Sequence, residues 1–393
     1  MTPFPRSAMN ARFPLFALLA ALLVVPAASA QPDRSGAVRG RVTSAETGKP
    51  LPGAHVFFST TMTGTATDTA GRFVFPQGAP VGTQRLHASM VGYETRTLDT
   101  LLQDGQPYRL RLALEPEVIE GEDVSVAGRA SDEWTTQGED DWTDRLEKFE
   151  RLFVGTSPRA EATTLANPEA LAFDASWWGK LKADAAAPLV FENRALGYRL
   201  RYHLREFEGS RRKVRWDGEP HFEALTPSDS AEAARWRAKR QRAFRGSLRH
   251  FLLALLGDSL DRAGFRVRRV PASSALGSAR ARQGRAGFPV SAGDLLERPP
   301  PAARDTLPEG TRWLSFRGRL RVTYTREPET RAFLRWQRDR RAPRDYQRSF
   351  LELEDSRVTV DPAGEIVEPY GATRFGYFAF ERLAALLPKG YRP

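Results

Sequence analysis

The sequence predicts a multidomain chain, an all-β sandwich followed by a larger α+β domain. Three observations predict it. Residues 31–126 hold short alternating runs at even spacing, separated by Gly- and Pro-containing turns. Residues 146–393 mix such runs with stretches of helical periodicity. The chain of 393 residues, 41% hydrophobic and 27% charged, also has material for one large or two ordinary folded domains and is too apolar for a wholly disordered one.

Taken in order, residues 1–30 read as a signal peptide. Arg6 and Arg12 precede the apolar run Phe13–Val25, and Ala28-Ser29-Ala30 before Gln31 is a small-residue cleavage pattern. That run is shorter than the ~20 residues needed to cross a bilayer, so no transmembrane helix is expected after cleavage. The expectation is an exported protein of the periplasm, of the outer-membrane surface or of the medium. With no cysteine, disulfide scaffolds, thiol nucleophiles and Cys-ligated metals are excluded.

The sandwich region starts with Val38–Val42, turns at Gly48-Lys49-Pro50-Leu51-Pro52-Gly53, and continues through Ala54–Phe58. A turn at Asp68–Gly71 leads into Arg72–Phe75, and further strands are expected near 85–90, 95–98 and 108–114. Asp68 suits side-chain capping of its turn and Gly71 suits a positive φ. Gly53, Phe73, Gly92 and Tyr93 complete a set of structural motif residues, with Tyr93 a packed corner residue. The blocks Gly40-Arg41-Val42, Gly48 to Val56, Thr67 to Phe73 and Val91-Gly92-Tyr93-Glu94, in this order, resemble the carboxypeptidase regulatory-like domain. The resemblance implies a transthyretin-like β-sandwich, non-catalytic and common at the N-terminus of exported proteins of Bacteroidota-type bacteria.

Residues 127–145 turn acidic and read as a linker, without the spaced carboxylate loop that calcium requires. Beyond it, Gly197–Glu208 alternates. Tyr198, Leu200, Tyr202 and Leu204 fall on one face; Arg199, Arg201, His203 and Arg205 fall on the other. Trp313–Thr325 reads as a second such strand with Arg317, Arg319 and Arg321 on its polar face. A helical region runs from the N-cap candidate Ser230 to about Leu260. A flexible loop is expected over 271–310, a hairpin over 357–367 and a closing helix at Phe378–Leu387. The stretches Leu152 to Ser157, Ala166-Asn167-Pro168, Pro188 to Tyr198 and Phe244 to Leu252 are similar to the region that follows this sandwich in exported Bacteroidota-like proteins. That likeness implies an envelope protein and carries over no catalytic residue.

His203-Leu204-Arg205-Glu206 is an H-x-x-E string, but residues three apart on a strand point to opposite faces unless a bulge intervenes. The only later histidines, His221 and His250, are too near in sequence to match the family spacing of a third zinc ligand. No metal and no cofactor are therefore expected. No G-x-S-x-G elbow and no phosphate or dinucleotide loop occurs, and no catalytic residue is assigned. Residues 31–145 carry 11 basic and 17 acidic side chains, whereas residues 146–393 carry 46 and 31, so the excess of positive charge behind the net +11 resides in the second domain. The expectation is a non-catalytic binding or assembly component of the cell envelope. Its partners would be anionic glycans or lipopolysaccharide, met through Arg199, Arg201, His203, Arg205, Arg317, Arg319 and Arg321, together with other envelope proteins; export argues against nucleic acid. The alternative is an envelope hydrolase, peptidase or glycosidase, with its site in the second domain.

Overall fold

The architecture is that of a computed structural model, which describes residues 38–75, 79–80, 82–103, 105–117, 139–175, 180–210, 213–270, 287–304 and 307–393. The signal peptide, residues 127–138 of the expected linker and the first part of the 271–310 loop lie outside the described residues. Seven strands form the sandwich: β1 (Val38–Ser44), β2 (His55–Phe58), β3 (Gly64–Ala66), β4 (Arg72–Val74), β5 (Gly82–Ser89), β6 (Arg96–Leu102) and β7 (Tyr108–Leu114). One sheet has the order β4-β1-β7 and the other β3-β2-β5-β6, and β1 and β7 run parallel. Val42, Val56, Phe58, Phe73, Leu86 and Leu112 meet in the core between them.

The motif residues build its turns. Thr67 accepts from the Ala54 amide at 2.9 Å and donates to the Leu51 carbonyl at 2.5 Å. Asp68 accepts from the amides of Ala70 at 2.9 Å and Arg72 at 2.8 Å. Gly71 closes this turn at φ +70, where a Cβ would meet the Val42 carbonyl oxygen at 2.5 Å, so no other residue fits. Phe73 is buried, Gly53 and Gly92 lie in turns, and Tyr93 bridges to Pro116 at the sandwich corner.

The second region has three sheets arranged around two main cores. The first contains β8 (Thr163–Leu165), β9 (Leu171–Ala175), β10 (Leu181–Ala185), β11 (Leu189–Asn193), β12 (Tyr198–Gly209) and β13 (Val214–Ala224). Its order is β8-β11-β12-β10-β9, with β13 on the far edge of β12. The second group is β14 (Phe265–Val270), β15 (Phe288–Pro289), β16 (Leu296–Glu297), β17 (Arg312–Ser315), β18 (Arg319–Tyr324), β19 (Gln347–Leu353), β20 (Arg357–Val360) and β21 (Ala372–Gly376). These assemble as β15-β14-β18-β19-β21 and β16-β17-β20. Phe149, Phe153, Phe191 and Phe207 centre one core, and Phe251, Leu255, Phe265 and Leu320 the other.

Several expectations change. The helix Glu139–Phe153 begins inside the stretch read as linker, because Phe149 and Phe153 must reach the first core. The long helical region is interrupted. Ser230–Phe244 is capped by Asp229, not Ser230, and a break at Gly246 (φ +72) precedes Leu248–Leu256 and Leu260–Ala263. The described part of the 271–310 loop contains β15, β16 and the helical turn Pro301–Arg304. Trp313–Thr325 is two strands in different sheets, β17 and β18, parted by a bend at Arg317-Gly318. The closing helix is a helical turn at Tyr377–Phe380 and a 3-10 turn at Leu383–Ala385, because Phe378 feeds one core and Leu383 the other. Among the described residues no helix is long and apolar enough to cross a membrane.

Candidate functional site

Strand alternation decides what faces what. On β2, Val56 and Phe58 enter the sandwich core, so His55 and Phe57 project from its outer face; on β5, Leu86 and Ala88 point inward, and Arg85 and His87 outward. On β12, Tyr198, Leu200 and Tyr202 enter the core of the second region, leaving Arg199, Arg201 and His203 on the opposite face. On β13, Phe222 is in that core, and Glu219, His221 and Glu223 share the face of His203. These two polar faces meet. The sandwich and the second region pack into one compact unit, Ser35–Pro393, and four of the five histidines lie at the contact.

Phe57 is fully buried there without belonging to the sandwich core. Its ring lies 5.3 Å from His55, 5.1 Å from His87, 5.0 Å from His203 and 4.9 Å from His221, centroid to centroid. The Thr60 amide donates to the Pro220 carbonyl at 2.6 Å and the Phe222 amide to the Thr61 carbonyl at 3.0 Å, covering the outer edge of β13. Glu219 takes Arg85 at 2.8 Å and Arg205 at 2.9 Å, and it accepts from the Ser59 hydroxyl. Burial alone would raise the Glu219 carboxyl; the His87 ring 3.5 Å away and hydrogen bonds from Ser59 and Arg85 outweigh it and hold the group down at about 2. Burial pushes His203 and His221 down to about 4, with neighbouring histidines adding to the shift, so both rings are neutral near pH 7.

The first arginine row is therefore occupied. Arg199 pairs with Glu192 at 2.6 Å, Arg201 with Glu223 at 2.7 Å, and Arg205 with Asp217 at 2.9 Å. The second row is divided. Arg317 is exposed in the bend, Arg319 pairs with Glu352 at 2.7 Å and lies 4.3 Å over the Phe375 ring, and Arg321 is only 7% exposed instead of facing solvent. As for the H-x-x-E string, β12 does carry a bulge between Leu204 and Glu206. It shifts the core-facing position from Leu204 to Phe207, but Glu206 accepts from the Tyr370 hydroxyl at 2.8 Å while His203 stacks on Phe57. They have different partners.

A second basic surface was not foreseen. A cleft of about 1200 Å³ opens between β13, the β19–β21 pair and the helix Arg331–Trp336. Nine basic and four acidic side chains line it. Each of the four carboxylates is already engaged: Glu329 by Arg341 at 2.8 Å and Arg344 at 3.4 Å, Asp339 by Arg341 at 2.9 Å, Glu354 by Lys213 at 3.2 Å, and Glu381 by Arg159 at 3.0 Å. By contrast, Arg215, Arg348, Arg374 and Arg382 form no ion pair among the described residues. Arg215 and Arg382 lie over the rings of Tyr370 and Trp216 at 5.4 and 5.3 Å. The Nε atoms of Arg215 and Arg348 are buried and unpartnered among the described residues. Burial, then the charge of Arg374, pushes Arg382 down to about 10. These residues are dispersed over β13, β19, β21 and the C-terminal segment, so no local motif announces them. The junction residues left one trace, the polar alternation Glu219-Pro220-His221-Phe222-Glu223.

Residues 37–115 match the model of the carboxypeptidase regulatory-like domain, so the chain carries that domain at its N-terminal end. No curated protein matches the chain. Among solved structures it is similar to 5-hydroxyisourate hydrolase of Klebsiella pneumoniae, at 17% identity over 20-odd percent of this chain (21%) and 92% of that one, with a TM-score of 0.18. It is similar to a type II cohesin–X-dockerin complex of Acetivibrio cellulolyticus at 19% identity, covering 20% of this chain and 57% of that chain, TM-score 0.18. A putative membrane-associated protein of unknown function from Bacteroides fragilis is 14% identical over 43% of this chain and 64% of its own, TM-score 0.17. The chain thus spans less than two thirds of the length of the cohesin–dockerin and Bacteroides fragilis chains.

Proposed function

We propose that the protein is an exported, non-catalytic binding component of the cell envelope, and that the arginine-lined cleft of its second region is where an anionic glycan binds. One observation carries the reading: the cleft holds nine basic side chains against four carboxylates, and those carboxylates are engaged while Arg215, Arg348, Arg374 and Arg382 are left for an external anion. Guanidinium groups over aromatic rings suit a ligand that offers carboxylate, sulfate or phosphate groups together with sugar faces. The arginine row of β12 supports no such role, since its charges are matched within the chain.

The test is calorimetric titration of the purified chain with polygalacturonate and with an uncharged dextran at two salt concentrations. Binding of the polyanion only, weakened by salt and reduced at least about tenfold by the double change Arg348→Gln and Arg374→Gln, is the expected result. Equal binding of dextran, or polyanion binding indifferent to the double change, would overturn the reading.

A further inference from the structure

We infer that the contact between the sandwich and the second region is a metal site, in which a divalent transition ion of the zinc class is ligated by His55 of β2 and by His221 and Glu223 of β13. Alternation places His221 and Glu223 on the same face of β13, two residues apart, and the facing sheet supplies His55. One ligand atom from each of the three lies within 4.8 Å of the other two. Bonds of about 2.1 Å to a tetrahedral zinc separate ligand atoms by roughly 3.4 Å, so the three side chains need to close by little more than an ångström to share an ion. Among the described residues they are the one such set.

A second observation is independent of that spacing. His221 is 3% exposed, and its Nδ1 is buried without a hydrogen-bond partner among the described residues. A buried ring nitrogen with nothing opposite it is costly, and an ion removes the cost. Gly64 lies close against the ring, since a Cβ there would come within 2.8 Å of Cε1 and 2.9 Å of Nε2. Arg201 donates Nε to Glu223 Oε1 at 2.7 Å. That bond orients the carboxylate, whose Oε2 lies 3.9 Å from Arg199 Nη1, as an outer partner of a ligating carboxylate does. Two imidazoles and a carboxylate are a donor set that zinc accepts, with water completing the tetrahedron. Because the ligands come from both folded parts, the ion cross-links them.

The experiment uses the full chain, freed of metal with a chelator, incubated with zinc sulfate, desalted and measured by elemental mass spectrometry. Roughly one retained zinc per chain is expected, along with a higher unfolding temperature in zinc than in chelator and visible d–d bands after cobalt substitution. His55→Ala and His221→Ala should each weaken zinc binding at least tenfold to a hundredfold. His250→Gln, remote from the junction, should not. Glu223→Gln, which keeps shape and hydrogen bonding, provides the readout if a histidine variant fails to fold by circular dichroism. Absence of retained zinc in the folded wild-type chain would overturn the inference. So would zinc binding unchanged in the folded His55, His221 or Glu223 variants.

Discussion

The junction and the cleft are both rich in arginine, and they use it in opposite ways. At the junction each guanidinium of the β12 row meets a carboxylate from an adjacent strand, and the surplus polarity includes the neutral rings of His203 and His221 packed on a buried phenylalanine. In the cleft the carboxylates are committed to Arg341, Arg344, Lys213 and Arg159, and Arg215 and Arg382 lie over aromatic rings instead of meeting a carboxylate. The difference teaches that a count of basic residues locates charge but not available charge. Availability depends on which acidic side chains the topology brings alongside.

Four substitutions and conditions separate the two regions, from the largest expected effect to the smallest. Phe57→Ala removes a fully buried ring packed among four histidines, and should cost about 3–5 kcal/mol in urea unfolding. A loss below about 1 kcal/mol would mean the junction is not part of the cooperative unit. Acidification comes next. His203 faces His55, His87, Glu219 and Arg201, and His250 lies near Arg326; burial holds each down at about 4, below the ordinary 6.5. The unfolded chain therefore binds protons first as pH falls. The stability that these neutral rings contribute is full above about 6.5 and is lost toward pH 4, roughly 2 kcal/mol for each. A urea midpoint that stays level from pH 7 to pH 4 would contradict this.

The remaining two tests form a pair. Arg201→Gln breaks an ion pair whose guanidinium is 41% exposed, and should cost less than about 1 kcal/mol while leaving polyanion binding intact. Arg348→Gln should do the reverse, lowering polyanion affinity measured by calorimetry while stability stays within about 0.5 kcal/mol of wild type, because burial and nearby cations already disfavour that charge. If the two variants behave alike, the contrast between the regions fails.

Much of the local structure was legible in the sequence. The alternation of Tyr198, Leu200 and Tyr202 against Arg199, Arg201 and His203 assigned the two faces of β12 as the fold has them, and the turn chemistry of Asp68 and Gly71 gave the sandwich corner. What lay opposite those faces was not legible. One partner of Glu219 is Arg85, 134 residues away, and alternation along one strand says nothing about such a pairing. The same gap affected the histidines. His221 looked too close in sequence to join His203, yet a hairpin is the device that places close residues side by side, and His55 arrives from the sandwich. The helix break at Gly246 was visible as a glycine; its consequence, a chain redirected between two cores, required knowing that there are two.

The turn that carries Thr60 and Thr61 lies along the outer edge of β13. The sandwich thereby acts toward the second region as a built-in chaperone, shielding backbone groups that would otherwise recruit a foreign strand. A fragment beginning at residue 139 would display that bare edge beside an uncovered histidine face. Such a fragment is expected to self-associate more than the full chain does, a difference that size-exclusion chromatography of the two would show.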